Sequence, residues 1–216
     1  MTTLVLIAKE PVPGRVKTRL HPPLSLEQAA DLAAAAIHDT LAAVRNLPAT
    51  RRILLFEGVH TPVGAEGYEV VHQSGGGLDE RLAAVFDLVS EPMVLIGMDT
   101  PQVAVADLAP AFVGWPDSVD AWFGPANDGG WWALGLRRPD GALLRGVPTS
   151  RDDTGALQLA RLAAAGLTVG MLPELTDVDT IDDALEVAAI APTGRFARTL
   201  RSALSASPAL PLGAAS

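Results

Sequence analysis

The run Leu4-Val5-Leu6-Ile7-Ala8 has no polar residue on either side of its alternation. A strand with one wet face alternates apolar and polar side chains, so an unbroken apolar run means burial on both faces. Arg52-Ile53-Leu54-Leu55-Phe56 and Met93-Val94-Leu95-Ile96-Gly97 repeat the pattern. Strands of this kind need helices above and below them, and the chain supplies helices in alternation. Ser25 and Gln28 have capping-box spacing, and Leu26, Ala29, Ala33, Ile37, Leu41 and Val44 mark one apolar helical face. Further helices are expected over 78–89, 104–113, 154–165 and 181–191, with strands over 68–72, 120–124, 131–136 and 167–172. The fold class is therefore α/β, with a mostly parallel sheet. Such sheets bind ligands at the carboxyl ends of their strands. The loops that start at Lys9, Gly97 and Gly124 are expected to converge on one crevice.

A length of 216 residues suits one domain, read as 1–191, followed by a C-terminal helix and mobile tail over 192–216. That helix is expected over 196–204, and the tail is Ala/Ser/Pro-rich from Ser205. The absence of cysteine excludes disulfides, thiol catalysis and cysteine metal sites. A net charge of −9 argues against a nucleic-acid partner, which needs a basic face. No apolar stretch is long enough to span a bilayer, and Met1-Thr2-Thr3 leads into a strand without a signal-peptide pattern. The expected location is cytoplasmic.

Within this acidic chain, four of the sixteen Lys and Arg residues fall between Lys9 and Arg19. Lys9, Arg15, Lys17 and Arg19 lie after the first strand, where a parallel sheet puts its site. Arginine grips phosphate oxygens with a two-pronged fork, lysine adds a compact charge, and Gly14 lets backbone approach an anion. The bland alternative is a solvated loop paired with surface acids. No P-loop, G-x-G-x-x-G or G-x-S-x-G sequence is present, and no two histidines have ligand spacing. In Gly97-Met98-Asp99-Thr100-Pro101, a carboxylate at the end of a buried strand suits Mg²⁺, or else caps the next helix. Asp177-Val178-Asp179-Thr180 reads equally as a pair of cation ligands or a helix start. Gly124-Pro125-Ala126-Asn127-Asp128-Gly129-Gly130-Trp131-Trp132 reads as a hairpin turn or as a wall for a flat ligand group.

These segments resemble the DUF2064 proteins, relatives of the phospholactate guanylyltransferases in the GT-A, or nucleotide-diphospho-sugar transferase, superfamily. Ala8 to Leu20 is similar to the family's opening motif, and Gly97 to Pro101 to its G-x-D-x-P. Gly124 to Trp131 is similar to its G-P-A-x-D-G-G-aromatic, and Asp177 to Thr180 to its D-x-D-T. Family members often carry G-D-L-G-x-R where this chain reads Gly76-Gly77-Leu78-Asp79-Glu80-Arg81. A usual W-S-T is here Thr149-Ser150-Arg151.

The resemblance implies a three-layer α/β/α sandwich of GT-A type, with a nucleotide beside the first strand. It implies Mg²⁺ (or Mn²⁺) on Asp99 and Asp179. Lys17 and Arg19 are then the phosphate grip, supported by Lys9, Gly14 and Arg15, and Lys17, Arg19 and Asp99 are the catalytic set. Asp128, Gly129, Gly130 and Trp131 shape the acceptor side. Three readings follow: nucleotidyl transfer from an NTP to a small anionic acceptor, glycosyl transfer from a nucleotide sugar, and nucleotide binding without turnover. The partners are small molecules in each case. The basic loop favours the first, because an NTP carries more phosphate charge, and the tryptophan pair favours the second.

Overall fold

The computed structural model describes residues 2–206. The tail expected to be mobile lies outside them from residue 207 onward. In chain order the strands are β1 (Thr3–Lys9), β2 (Arg51–Glu57), β3 (Glu69–His72), β4 (Met93–Ile96), β5 (Ala121–Pro125), β6 (Trp131–Leu136) and β7 (Val169–Met171). The helices are α1 (Leu26–Val44), α2 (Leu78–Leu88), α3 (Val105–Phe112), α4 (Thr154–Ala164), α5 (Ile181–Ile190) and α6 (Arg195–Ala206). None is long and apolar enough to cross a membrane.

The strands form one sheet in the order β3-β2-β1-β4-β6-β5-β7. Only β6 runs against the others, pairing antiparallel with both β4 and β5. The chain winds outward from β1 to β2 and β3, then returns to place β4 on the other side of β1. The winding direction reverses between β1 and β4. There the following loops part and leave a crevice at the strand ends.

The unbroken apolar runs are explained by two cores. Leu4, Leu6 and Ala8 pack with Ala33 and Ile37 of α1 and Leu108 of α3. Val5, on the opposite face of the same strand, packs with Leu82 and Phe86 of α2 and Leu162 of α4. The sheet is thus the middle of three layers. Helix α1 is buried twice, because Ala29, Leu32 and Ala36 also meet Val187 of α5 and Phe196 and Leu200 of α6. Its many alanines let helices approach on two sides. Leu26, expected on its apolar face, remains about one third exposed (36%) at the first turn. The last helix is tied to α1 by hydrogen bonds from Gln28 Nε2 to the Ala203 carbonyl and from the Phe196 amide to Asp39 Oδ2.

The capping box at the start of α1 is formed in both directions. The Gln28 amide donates to Ser25 Oγ (3.2 Å), and the Ser25 amide donates to Gln28 Oε1 (2.8 Å). Ser25→Ala is expected to cost about 1 kcal/mol, read as a melting temperature lower by about 2–4 °C.

Candidate active site

The loop after β1 is pinned at Val16 and Leu20, which are buried. Gly14 turns the chain with a φ of 75°, and its position faces Leu26 rather than the crevice. Between the pins, Lys17 adopts the left-handed backbone conformation (φ 47°, ψ 36°), uncommon for a residue with a side chain. Its side chain is only 9% exposed. The ammonium lies 2.7 Å from Asp99 Oδ1 and 3.5 Å from Asp179 Oδ1, and it donates to the Val178 carbonyl. Arg19 donates to the other oxygen of Asp179 at 2.8 Å and stays mostly in solvent.

The acids reach this point from two directions. Asp99 follows β4, whose extension is held by the Gly97 amide donating to the Trp132 carbonyl (2.9 Å). The Val178 amide donates to the Asp99 carbonyl (3.0 Å), so the closing D-x-D-T segment is laced to the β4 loop. The Asp177 amide donates to Asn127 Oδ1 (3.0 Å), which ties that segment to the turn between β5 and β6 as well. In that turn Asp128 Oδ1 accepts from the Gly130 amide at 2.8 Å.

The electrostatics follow from this crowding. Burial alone would lower the pKa of Lys17, but Asp99, Asp177 and Asp179 outweigh it and hold the ammonium above its ordinary value. Burial, reinforced by the charge of Asp99, pushes the Asp177 carboxyl up to about 7. Asp177 Oδ1 is buried with no hydrogen-bond partner.

The three loops expected to converge do so: Lys9, Asp99 and Asp128 line one cleft of about 740 Å³, within the usual size for a small-molecule site. Lys9 stands on its exposed lip, and Arg19, Gly130, Trp131 and Asp179 also line it. Arg15 is exposed on the Gly14 turn and does not border the cleft. Gly129 does not line it either. Its φ is 83°, and a Cβ there would lie 1.9 Å from the Asp152 carbonyl oxygen, so glycine permits a close backbone crossing. The two tryptophans separate: Trp131 lines the cleft, whereas Trp132 is buried and donates through Nε1 to the Pro173 carbonyl (2.9 Å).

Several cleft residues escaped the sequence reading. Ile7, Leu78 and Leu82 give the cleft apolar lining, and Arg81, also lining it, donates to Gln73 Oε1 (2.8 Å) and Glu57 Oε2 (3.0 Å). Glu57 ends a buried strand, the same signal that singled out Asp99. Arg81 keeps the arginine of the family's G-D-L-G-x-R but was read only as part of a departure from that pattern. Thr149, Ser150 and Arg151, seen in the sequence only as a departure from the family pattern, line the cleft together with Asp152.

Among the described residues no three His, Asp or Glu side chains form a ready-made metal site. Mg²⁺ commonly takes one or two carboxylates and completes its shell with substrate phosphates and water. Asp99 and Asp179, which share one cation, together with the unpartnered oxygen of Asp177, fit a metal that arrives with a polyphosphate.

A structure from Desulfovibrio desulfuricans, provisionally assigned as a nucleotide-diphospho-sugar transferase, is similar to this chain. It is 25% identical with a TM-score of 0.81, covering 94% of this chain and 95% of the other. Rv0371c from Mycobacterium tuberculosis, crystallised with manganese, is also 25% identical with a TM-score of 0.55, over 86% of this chain and 96% of that one. A CMP:2-keto-3-deoxy-manno-octonic acid synthetase in complex with CTP shares the fold at 13% identity and a TM-score of 0.56, over 88% of this chain and 98% of that one. No curated protein matches. The sheet order, the crevice and these likenesses define a transferase of the nucleotide-diphospho-sugar transferase fold. Within that class the chain belongs to DUF2064, a family described as an uncharacterized protein conserved in bacteria, whose profile matches residues 32–151.

Proposed function

We propose that the protein transfers a nucleotidyl group from an NTP to a small anionic acceptor and releases pyrophosphate, with Mg²⁺ or Mn²⁺. The observation that carries this reading is the meeting of Lys17 and Arg19 with Asp99 and Asp179 beside the β1–β4 crevice. Cations next to carboxylates at one point suit a metal–polyphosphate complex, each sign answering the other in the ligand.

An acceptor oxygen attacks the α-phosphorus, the bond from that phosphorus to the bridging oxygen of the β-phosphate breaks, and pyrophosphate leaves with the electron pair. Lys17 and Arg19 balance the charge that builds on the leaving group, and Lys9 adds to the field at the lip. Asp99 and Asp179 would hold the metal, which supplies charge neutralisation at the phosphate oxygens. Asp128, Gly130 and Trp131 orient the acceptor together with residues 149–152. The protein's contribution is positioning and preorganised charge, with no covalent intermediate.

Glycosyl transfer is the second reading. It draws on Trp131 and Asp128 at the cleft wall. It also draws on a fold shared with the Mycobacterium tuberculosis glucosyl-3-phosphoglycerate synthase in complex with Mn²⁺ and UDP, 14% identical with a TM-score of 0.50. Burial of Trp132 removes half of the aromatic wall that favoured it. Incubation with each NTP and each nucleotide sugar, with Mg²⁺ or Mn²⁺ and a panel of anionic acceptors, separates the readings. Pyrophosphate release is expected. Nucleoside diphosphate release would establish glycosyl transfer instead, and metal-dependent binding without any product would establish a nucleotide-binding protein.

A further inference from the structure

Lys17 stands where the carboxylates would receive a metal. Three oxygens surround its ammonium: Asp99 Oδ1, in an ion pair at 2.7 Å, and Asp179 Oδ1 and the Val178 carbonyl, which accept its hydrogen bonds. Mg²⁺ binds carboxylate oxygens at about 2.1 Å. An ammonium 2.7 Å from Asp99 Oδ1 already neutralises the carboxylate that the metal would use, and the two cations repel. We propose that Lys17 is a built-in counter-ion that fills the metal seat of the nucleotide-free protein and leaves when a polyphosphate arrives, so that metal and nucleotide load together. This rests on the reading of Asp99 and Asp179 as the metal-holding pair.

Three observations support the exchange. The Lys17 side chain is 9% exposed, so an ammonium driven off by metal alone would lose its buried partners with nothing to replace them. A polyphosphate supplies new charged acceptors. Beside the ammonium lies a cavity of about 170 Å³ bordered by Lys9, Lys17, Arg19, Asp99 and Asp179, which gives the side chain room to turn and a phosphate three cations to meet. Finally, the left-handed backbone at Lys17, an unfavourable posture for an L residue, is held between the buried Val16 and Leu20 and aims the side chain at the acids. Because Lys17 opposes metal and polyphosphate draws Lys17 away, each ligand tightens the other. Arg19 is an internal control: it binds the far oxygen of Asp179 from solvent, 75% exposed, and fills no seat.

Lys9 and Lys17 are the chain's only lysines. Amine acylation followed by mass spectrometry therefore reads Lys17 directly, with exposed Lys9 as reference. In the wild-type protein without metal, Lys17 is expected to label far more slowly than Lys9. Saturating Mg²⁺ without nucleotide is expected to bring its rate toward that of Lys9. Equal rates without metal, or continued shielding at metal saturation, would overturn the counter-ion role.

Calorimetry with Mn²⁺ and no nucleotide gives an independent reading. Lys17→Met is expected to bind Mn²⁺ more tightly by about tenfold or more, in the range of a coupling between two sites. Arg19→Met is expected to gain no more than about threefold, as for a screened surface charge. Equal gains would reduce the effect to net charge and overturn the proposal. Asp99→Asn separates the two levels of inference. If it binds Mn²⁺ as the wild type does, the metal seat is elsewhere and the functional reading falls as well. If it abolishes binding while Lys17→Met gains nothing, only the counter-ion role falls.

Discussion

Asp99→Asn is expected to lower turnover by about 10³-fold, equivalent to roughly 4 kcal/mol of lost transition-state stabilisation. The side chains have the same shape, so the Val178 amide still has the residue 99 carbonyl to bond, and the β4 loop keeps its lacing to the D-x-D-T segment. Lys17 keeps Asp179 and the Val178 carbonyl as partners. The melting temperature is therefore expected to move by only a few degrees. The loss falls on the negative charge that faces the metal and phosphates. A thermal-shift series with each NTP, with and without Mg²⁺, checks this alongside pyrophosphate release. Metal-dependent nucleotide stabilisation that survives unchanged would remove Asp99 from the metal site.

Trp132→Ala is expected to cost about 3–5 kcal/mol, the usual price of emptying a large buried aromatic position, against a total stability of about 5–15 kcal/mol. The side chain is 2% exposed and belongs to the core on the sheet face covered by α1 and α3. A Cβ on Gly124 would lie 2.6 Å from its ring, so backbone and indole are already in close contact. The substitution also leaves the Pro173 carbonyl without its donor. Trp131→Ala, one residue earlier, is expected to cost only about 1–2 kcal/mol, since its ring is partly exposed, and to raise the KM for the acceptor. Urea unfolding of the two variants separates core from wall. Equal destabilisation would mean that both rings serve packing.

That pair also shows what was legible in the sequence. Adjacent residues of a strand point to opposite faces, so two neighbouring tryptophans on β6 could not both wall one cleft. The signal was present in the expected strand over 131–136, but its alternation was not applied to the pair. The central strands were plain, because a β1 buried on both faces allows no polar residue from Leu4 to Val5 to Leu6. Asp99 was found because a strand-end carboxylate has a short list of uses.

Lys17 was recognised as important but its partners were not. Its contact with Asp179 spans 162 residues and depends on a left-handed backbone that no local pattern announces. Arg81 had the same difficulty: it meets Glu57 only after β2 and α2 are packed side by side. The place of β6 between β4 and β5 likewise comes from tertiary packing, since the hairpin turn fixes its direction relative to β5 but not its other neighbour.

The single reversed strand also decides which parts of the cleft are stiff. Because β6 runs downward beside upward β5, residues 126–130 are anchored at both ends by paired strands; Asn127 Oδ1 also accepts from the Asp177 amide, and the Gly129 carbonyl accepts from the Gly155 amide. A parallel strand in that place would have required a crossover of a dozen residues or more. The turn therefore behaves as a fixed jaw.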